Sequence, residues 1–296
     1  MKRTLAAVTA LTLFAAPALA ETTIETATGP VTISETPATT AVLDMASLDM
    51  LDALGIEGVT ATSNTYLERL APYAGDLGTL FEPDYEALNA LSPDLIVAGG
   101  RSTEAVPQLE KLAPTVDMTM WGDDLLDQTR ARLAAFGALY GKEAEAAALT
   151  ESLDAEIAAT QAAVEGKGNA LILMTNGGKV SAYGAGGRFG WIHTEIGLPE
   201  VIEGLEDTSH GESVSFEFIR ETNPDWILVL DRVAAIGGEG ESAEATLDNP
   251  LVAETTAAQK GQIVYLNAGD IYVAGGGITS VLNTLEIIQT AFGASS

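Results

Sequence analysis

A chain of 296 residues with 42 acidic and 14 basic side chains, a formal charge of −28 and no cysteine is long enough for a large core divided between two lobes. So negative a chain is repelled by nucleic acid and by anionic lipid headgroups, which removes both as partners. The missing cysteine excludes disulfides, a thiol nucleophile and a lipid-modified cysteine anchor.

At the start of the chain, Lys2 and Arg3 precede an apolar run from Leu5 to Ala16, then Pro17 and Ala18-Leu19-Ala20. This is the layout of a cleavable secretory signal, and the run is too short to span roughly 30 Å of hydrocarbon. Cleavage after Ala20 is expected, giving a secreted, freely diffusing chain from Glu21. From Ile24 to Thr40 the β-branched residues around Gly29-Pro30 predict an opening hairpin with its turn at that pair. Ser47 to Leu54 predicts a short helix ended by Gly55, and Val59 to Thr62 a strand. Leu95 to Ala98 is a short apolar strand stopped by Gly99-Gly100. Strands alternating with helices indicate parallel α/β architecture.

Further along, Leu126, Leu133, Phe136 and Leu139 share a helical periodicity, and Leu149, Leu153, Ile157 and Val164 share another between Gly141 and Gly166. The second helix, 142–165, would be about 36 Å long at 1.5 Å per residue, the length of a whole lobe. A second α/β set opens at Ala170-Leu171-Ile172-Leu173-Met174. The predicted architecture is therefore α/β, with an N-terminal lobe (21–141), a single long bridging helix (142–165) and a C-terminal lobe (166–296).

An internal repeat is the strongest signal. Glu86, the pair Pro93-Asp94 and Arg101 recur as Glu217, Pro224-Asp225 and Arg232 with identical spacing. Each copy reads as a helix ended by Pro-Asp, then a strand, then an arginine just past the strand's carboxyl end. Ligands of open α/β sheets bind outside those ends, so two such ends facing across a cleft bring two arginines to one ligand. A third, Arg188, lies in Tyr183-Gly-Ala-Gly-Gly-Arg188-Phe-Gly-Trp191. This loop is not a dinucleotide fingerprint, because Phe189 stands where the third glycine belongs; its aromatics and open backbone suit a ligand contact.

His193, at the start of a short helix, reads as structural. His210 sits in a polar loop, and Tyr272 in a second glycine-rich loop before the last helix. Two histidines are too few for an all-protein zinc cage. An imidazole and a phenolate do suffice to complete iron(III) coordination when a chelator supplies the remaining oxygens. No G-x-S-x-G elbow or H-E-x-x-H helix is present, so an enzyme is not expected.

The opening strands, Leu91-Ser-Pro-Asp-Leu-Ile-Val97, the bridging helix and the closing glycine-rich loop together resemble the periplasmic binding proteins of ABC importers for iron-siderophores, haem and cobalamin. The resemblance covers essentially the whole chain after residue 20 and is nearest to the catecholate-siderophore branch. It implies an arginine triad at Arg101, Arg188 and Arg232, direct iron ligands at His210 and Tyr272, and permease-docking glutamates at Glu86 and Glu217. It also implies a monomer in the periplasm with no permanently bound cofactor, an Fe(III)-siderophore as ligand and an inner-membrane ABC permease as partner. Haem or cobalamin are the alternative cargoes of the same fold, although cobalamin has little use for three arginines. Many relatives are lipoproteins; the absence of cysteine sets this chain apart from them.

Overall fold

The computed structural model describes residues 21–121, 124–205 and 210–294, so the expected signal segment 1–20 lies outside the described residues. Strands β1 (Thr22–Thr26) and β2 (Gly29–Ile33) form an antiparallel hairpin in which Thr26 pairs with Gly29. The turn thus falls on Ala27-Thr28, not on the expected Gly29-Pro30, and the hairpin ends short of Thr40. The Thr26 hydroxyl donates to the Gly29 carbonyl at 2.6 Å, which closes the turn one step earlier. Gly29 takes φ +108°, a value open to glycine, and begins the return strand.

Two sheets follow. The first holds β3 (Thr40–Val42), β4 (Val59–Ala61), β5 (Leu95–Ala98) and β6 (Thr115–Asp117), all parallel, in the order β4-β3-β5-β6. The second holds β7 (Ala170–Thr175), β8 (Val180–Tyr183), β9 (Glu212–Val214), β10 (Trp226–Asp231) and β11 (Ile263–Tyr265), in the order β11-β10-β7-β8-β9. Here β7, β10 and β11 are parallel, and β8 and β9 extend the sheet antiparallel. Successive side chains of a strand face opposite ways, and both faces are covered. Val42, Val97, Ile172 and Leu228 face one continuous core shared by the two halves. Ala41 and Ile96 face a small outer cluster, and Leu171 and Ile227 another. That explains why these strands read as unbroken apolar runs.

The shared core is built on helices. The helix Leu125–Tyr140 ends at Gly141, left-handed at φ +65°, which lets the chain reverse at once into the helix Glu143–Val164. Its 22 residues extend about 33 Å. Leu153, Ile157 and Val164 on its buried face pack against Leu125–Tyr140 and against the last helix, Ile278–Gly293. Phe292 of that last helix stacks on Trp226 of β10, ring centroids 3.8 Å apart.

The sequence repeat is also a repeat in space. The helices Tyr85–Leu91 and Phe216–Thr222 start at the capping side chains of Asp84 and Ser215, and both end in a left-handed residue, Ser92 (φ 49°) and Asn223 (φ 47°). The aspartate of each Pro-Asp pair then fixes the entry of the neighbouring strand. Asp94 accepts from the Ala38 and Thr39 amides at 3.0 and 2.9 Å, just before β3. Asp225 accepts from the Asn169 amide at 3.2 Å, just before β7. Among the described residues no helix is long and apolar enough to cross a membrane.

Leu153 is fully buried on the long helix while Ser152 beside it is exposed. Leu153→Ala is expected to lower stability in urea unfolding by about 2–5 kcal/mol, and Ser152→Ala to change it by less than about 0.5 kcal/mol.

Candidate functional site

Past the carboxyl end of β5, Gly99 leads into a tight helical turn (Gly100–Ala105) carrying Arg101. Past the end of β10 the turn Arg232–Ala235 carries Arg232. The loop after β8 carries Arg188, and a wide turn after β11, Gly269–Val273, carries Tyr272. These elements surround a cavity of about 310 Å³ whose lining includes Arg101, Arg188, Arg232, His210 and Tyr272. All five residues expected as ligand or iron contacts therefore meet in one place. Glu86 and Glu217 do not line it; each is exposed on the first turn of its helix. His193 is 8% exposed, with Nδ1 2.7 Å from the Leu198 carbonyl, a structural role.

Gly190 makes the Arg188 loop possible by close approach. A Cβ there would lie 1.8 Å from the Ala185 carbonyl oxygen, so only glycine lets the loop close on itself and turn Arg188 and Phe189 inward.

The three guanidiniums converge on Tyr272. Their central carbons lie 5.1 Å (Arg101), 4.6 Å (Arg188) and 5.9 Å (Arg232) from its ring centroid, within cation–π range. Arg101 and Arg188 both donate to the Tyr272 carbonyl, at 2.9 and 2.5 Å. Arg232 Nε donates to the Tyr272 hydroxyl oxygen at 3.0 Å. Among the described residues, Arg69, Arg130, Lys142, Arg220 and Lys260 each lie in an ion pair, whereas none of the three cleft arginines does.

Burial pushes the Tyr272 hydroxyl up, but the hydrogen bond from Arg232 and the charges of Arg232, Arg188 and Arg101 outweigh it and hold the phenol below its usual range. Tyr183, behind it and edge-on to Phe189 with centroids 4.7 Å apart, is pushed up to about 12 by burial. Arg188 is brought down to about 10 by burial and by the charge of Arg101.

The Tyr272 turn rests on a buried network that local sequence patterns do not reveal. Arg69 Nη2 lies 2.7 Å from Asp49 and 2.7 Å from Asp270, whose side chains are 0% and 1% exposed. Asp49 also accepts from the Thr279 and Ser280 amides at 2.8 and 3.2 Å, capping the last helix. Asp270 accepts from the Ser280 hydroxyl and the Asn283 amide. The helix Met45–Ala53, the last helix and the turn bearing Tyr272 are thereby tied together. Asp44, Phe81, Met120 and Trp121 also line the cavity, beyond the residues that sequence reasoning points to; an isolated tryptophan just before a Gly-Asp-Asp run is the only hint of them in the chain.

A cleft of this kind, cationic at its centre and open at the facing strand ends of two α/β sheets, is suited to a compact anion. The family of periplasmic binding proteins matches residues 41–268, and the chain belongs to it. A petrobactin-binding protein of Bacillus subtilis, YclQ, is 31% identical over 87% of this chain and 83% of its own. The ferric-anguibactin-binding protein FatB of Vibrio anguillarum is 29% identical over 90% and 85%. Among solved structures, the periplasmic catecholate-siderophore-binding protein VctP of Vibrio cholerae superposes with TM-score 0.85 at 31% identity, covering 92% of this chain and all of its own.

Two titrations test the electrostatics. In an alkaline ultraviolet titration Tyr272 is expected to ionise before Tyr73, Tyr140 and Tyr183, each held at about 12; Tyr272→Phe should remove that first step. Arg188 has a folded value of about 10, below an arginine's ordinary range, so its charge opposes folding at every pH below about 10, and the opposition fades only at higher pH. At pH 7 Arg188→Gln should therefore raise the melting temperature of the ligand-free protein, read by calorimetry.

Proposed function

We propose that this chain is a periplasmic substrate-binding protein that captures a ferric catecholate siderophore and delivers it to an ABC importer in the inner membrane. The observation that carries the reading is the convergence of Arg101, Arg188 and Arg232 on Tyr272 in a chain of formal charge −28. Iron(III) held by three catecholates carries about −3, and guanidiniums offset such charge with short charge-assisted hydrogen bonds while stacking on the flat catechol rings. The relatives named for petrobactin, ferric anguibactin and catecholate siderophores support the same class of cargo.

In this reading Tyr272 and His210 are direct ligands when the chelator leaves iron two open positions. A phenol already lowered by its arginines gives up its proton to the metal more easily than a free tyrosine, and His210 is exposed at the cavity. Glu86 and Glu217, related by the repeat and exposed on equivalent helices, are the contacts offered to the permease. The N-terminal lobe (21–141) and the C-terminal lobe (166–296) flank the bridging helix, which limits their motion to a small hinge. The chain works as a monomer without catalysis, after removal of residues 1–20.

Binding by the purified protein, read as quenching of tryptophan fluorescence, tests this. The panel is ferric bis-catecholate, ferric tris-catecholate, a ferric hydroxamate, haem and cobalamin. Tight quenching is expected with the catecholates alone. Tyr272→Phe and His210→Ala should weaken the bis-catecholate about tenfold or more and move its charge-transfer band, leaving the six-oxygen tris-catecholate nearly unchanged; tenfold corresponds to about 1.4 kcal/mol. Preference for haem or cobalamin overturns the cargo assignment. The double variant Glu86→Arg/Glu217→Arg should keep ligand affinity and lose iron uptake in whole cells.

A further inference from the structure

Outside the arginine centre, the mouth of the cleft carries an unexplained feature. The two most exposed large apolar side chains among the described residues are Phe81, at 67%, and Trp121, at 58%. Both line the ligand cavity, as do Met118, Met120 and Leu125. The other exposed large apolar side chains are 37–40% exposed and do not line it. Apolar surface gathered at the rim of a polar-centred cleft marks a binding surface more often than an accident of packing.

Both side chains stand on hydrogen-bonded backbone. Phe81 lies in a tight turn whose ends pair between Gly78 and Pro83. The Thr79 amide donates to the Glu82 carbonyl at 2.9 Å, and the Phe81 and Glu82 amides donate to the Thr79 hydroxyl at 3.2 and 3.0 Å. Trp121 is held from both sides of its backbone by one residue. Its amide donates to Gln128 Oε1 at 3.1 Å, and its carbonyl accepts from Gln128 Nε2. Gln128 belongs to the long helix Leu125–Tyr140. An anchored backbone holds each aromatic at the rim before the ligand arrives, so less backbone entropy is lost on binding.

The cavity therefore has two chemistries. An anionic iron centre is drawn to Arg101, Arg188, Arg232 and Tyr272, which leaves the carbon skeleton of its chelator against the apolar rim. We propose that Phe81 and Trp121 are specificity-determining jaws that grip this skeleton, selecting ferric chelates built on an apolar linker over wholly polar ones such as ferric citrate. The inference rests on the ferric-chelate reading of the site and adds what that reading leaves open, the part of the ligand that does not touch iron.

The test compares three complexes by equilibrium dialysis of iron, since fluorescence is altered once Trp121 is replaced. Two are ferric bis(2,3-dihydroxybenzamide) chelates of equal length, one with a polymethylene linker and one with an oligoether linker; the third is ferric citrate. The wild type should hold the polymethylene complex about tenfold more tightly than the oligoether one, the scale expected for burying a few methylenes against aromatic faces. Phe81→Ser/Trp121→Ser should bring that ratio close to one and leave ferric citrate unchanged, while Trp121→Phe should keep the preference. Both side chains are exposed, and an unchanged melting temperature of each variant checks that the fold is intact. A wild-type ratio near one, a ratio preserved in the double variant, or an equal loss for all three complexes overturns the jaws alone. A wild type that retains no ferric chelate overturns the jaws and the ligand class together.

Discussion

Three like charges are held around one tyrosine, and the rest of the molecule is arranged so that they stay there. Arg101 and Arg188 share the Tyr272 carbonyl as acceptor, and Arg232 takes the hydroxyl. A carbonyl dipole and an aromatic face soften the repulsion but do not neutralise it as a carboxylate would. The consequence is visible in Arg188, whose proton is held less firmly than an ordinary arginine's. Three guanidiniums without an ion-pair partner among the described residues, in so acidic a chain, suit a partner that brings negative charge.

The cations also come from different halves of the chain. Arg101 follows the first sheet, whereas Arg188, Arg232 and Tyr272 follow strands of the second. The bonds from Arg101 to the Tyr272 and Val273 carbonyls, at 2.9 and 3.4 Å, therefore cross the cleft. Beneath them Arg69 joins Asp49 to Asp270, an ionic contact whose carboxylates are almost wholly buried. Losing one member of such a group strands a charge in the interior. The upper crossing lies in the cavity, whereas the lower one joins two buried carboxylates and braces the turn that carries Tyr272.

Much of this is legible in the chain because it is encoded locally. The bridging helix, the strand ends and each copy of the repeat declare themselves by spacing within a few dozen residues, and the match between the two copies puts Arg101 and Arg232 at facing strand ends. The hairpin turn reads wrongly because Gly29-Pro30 is a strong turn signal on its own, while the Thr26 hydroxyl that moves the turn is an unremarkable threonine in sequence. The Arg69 network is invisible for a different reason. Its partners are far apart, Arg69 and Ser280 by 211 residues, and nothing near Asp49 or Asp270 marks them as buried. Phe81 and Trp121 escape notice because an apolar residue reads as core by default; only the fold leaves them uncovered at a rim.

The cap on the last helix has a bearing on how the chain assembles. Asp49 on the helix Met45–Ala53 receives the amides of Thr279 and Ser280, 230 and 231 residues away. The core of the first half thus lacks one of its walls until the helix Ile278–Gly293 arrives. Contacts spanning so much chain close late and slow folding, because loop-closure entropy must be met before they reward it. The first half accordingly completes its core only when the helix Ile278–Gly293 is in place.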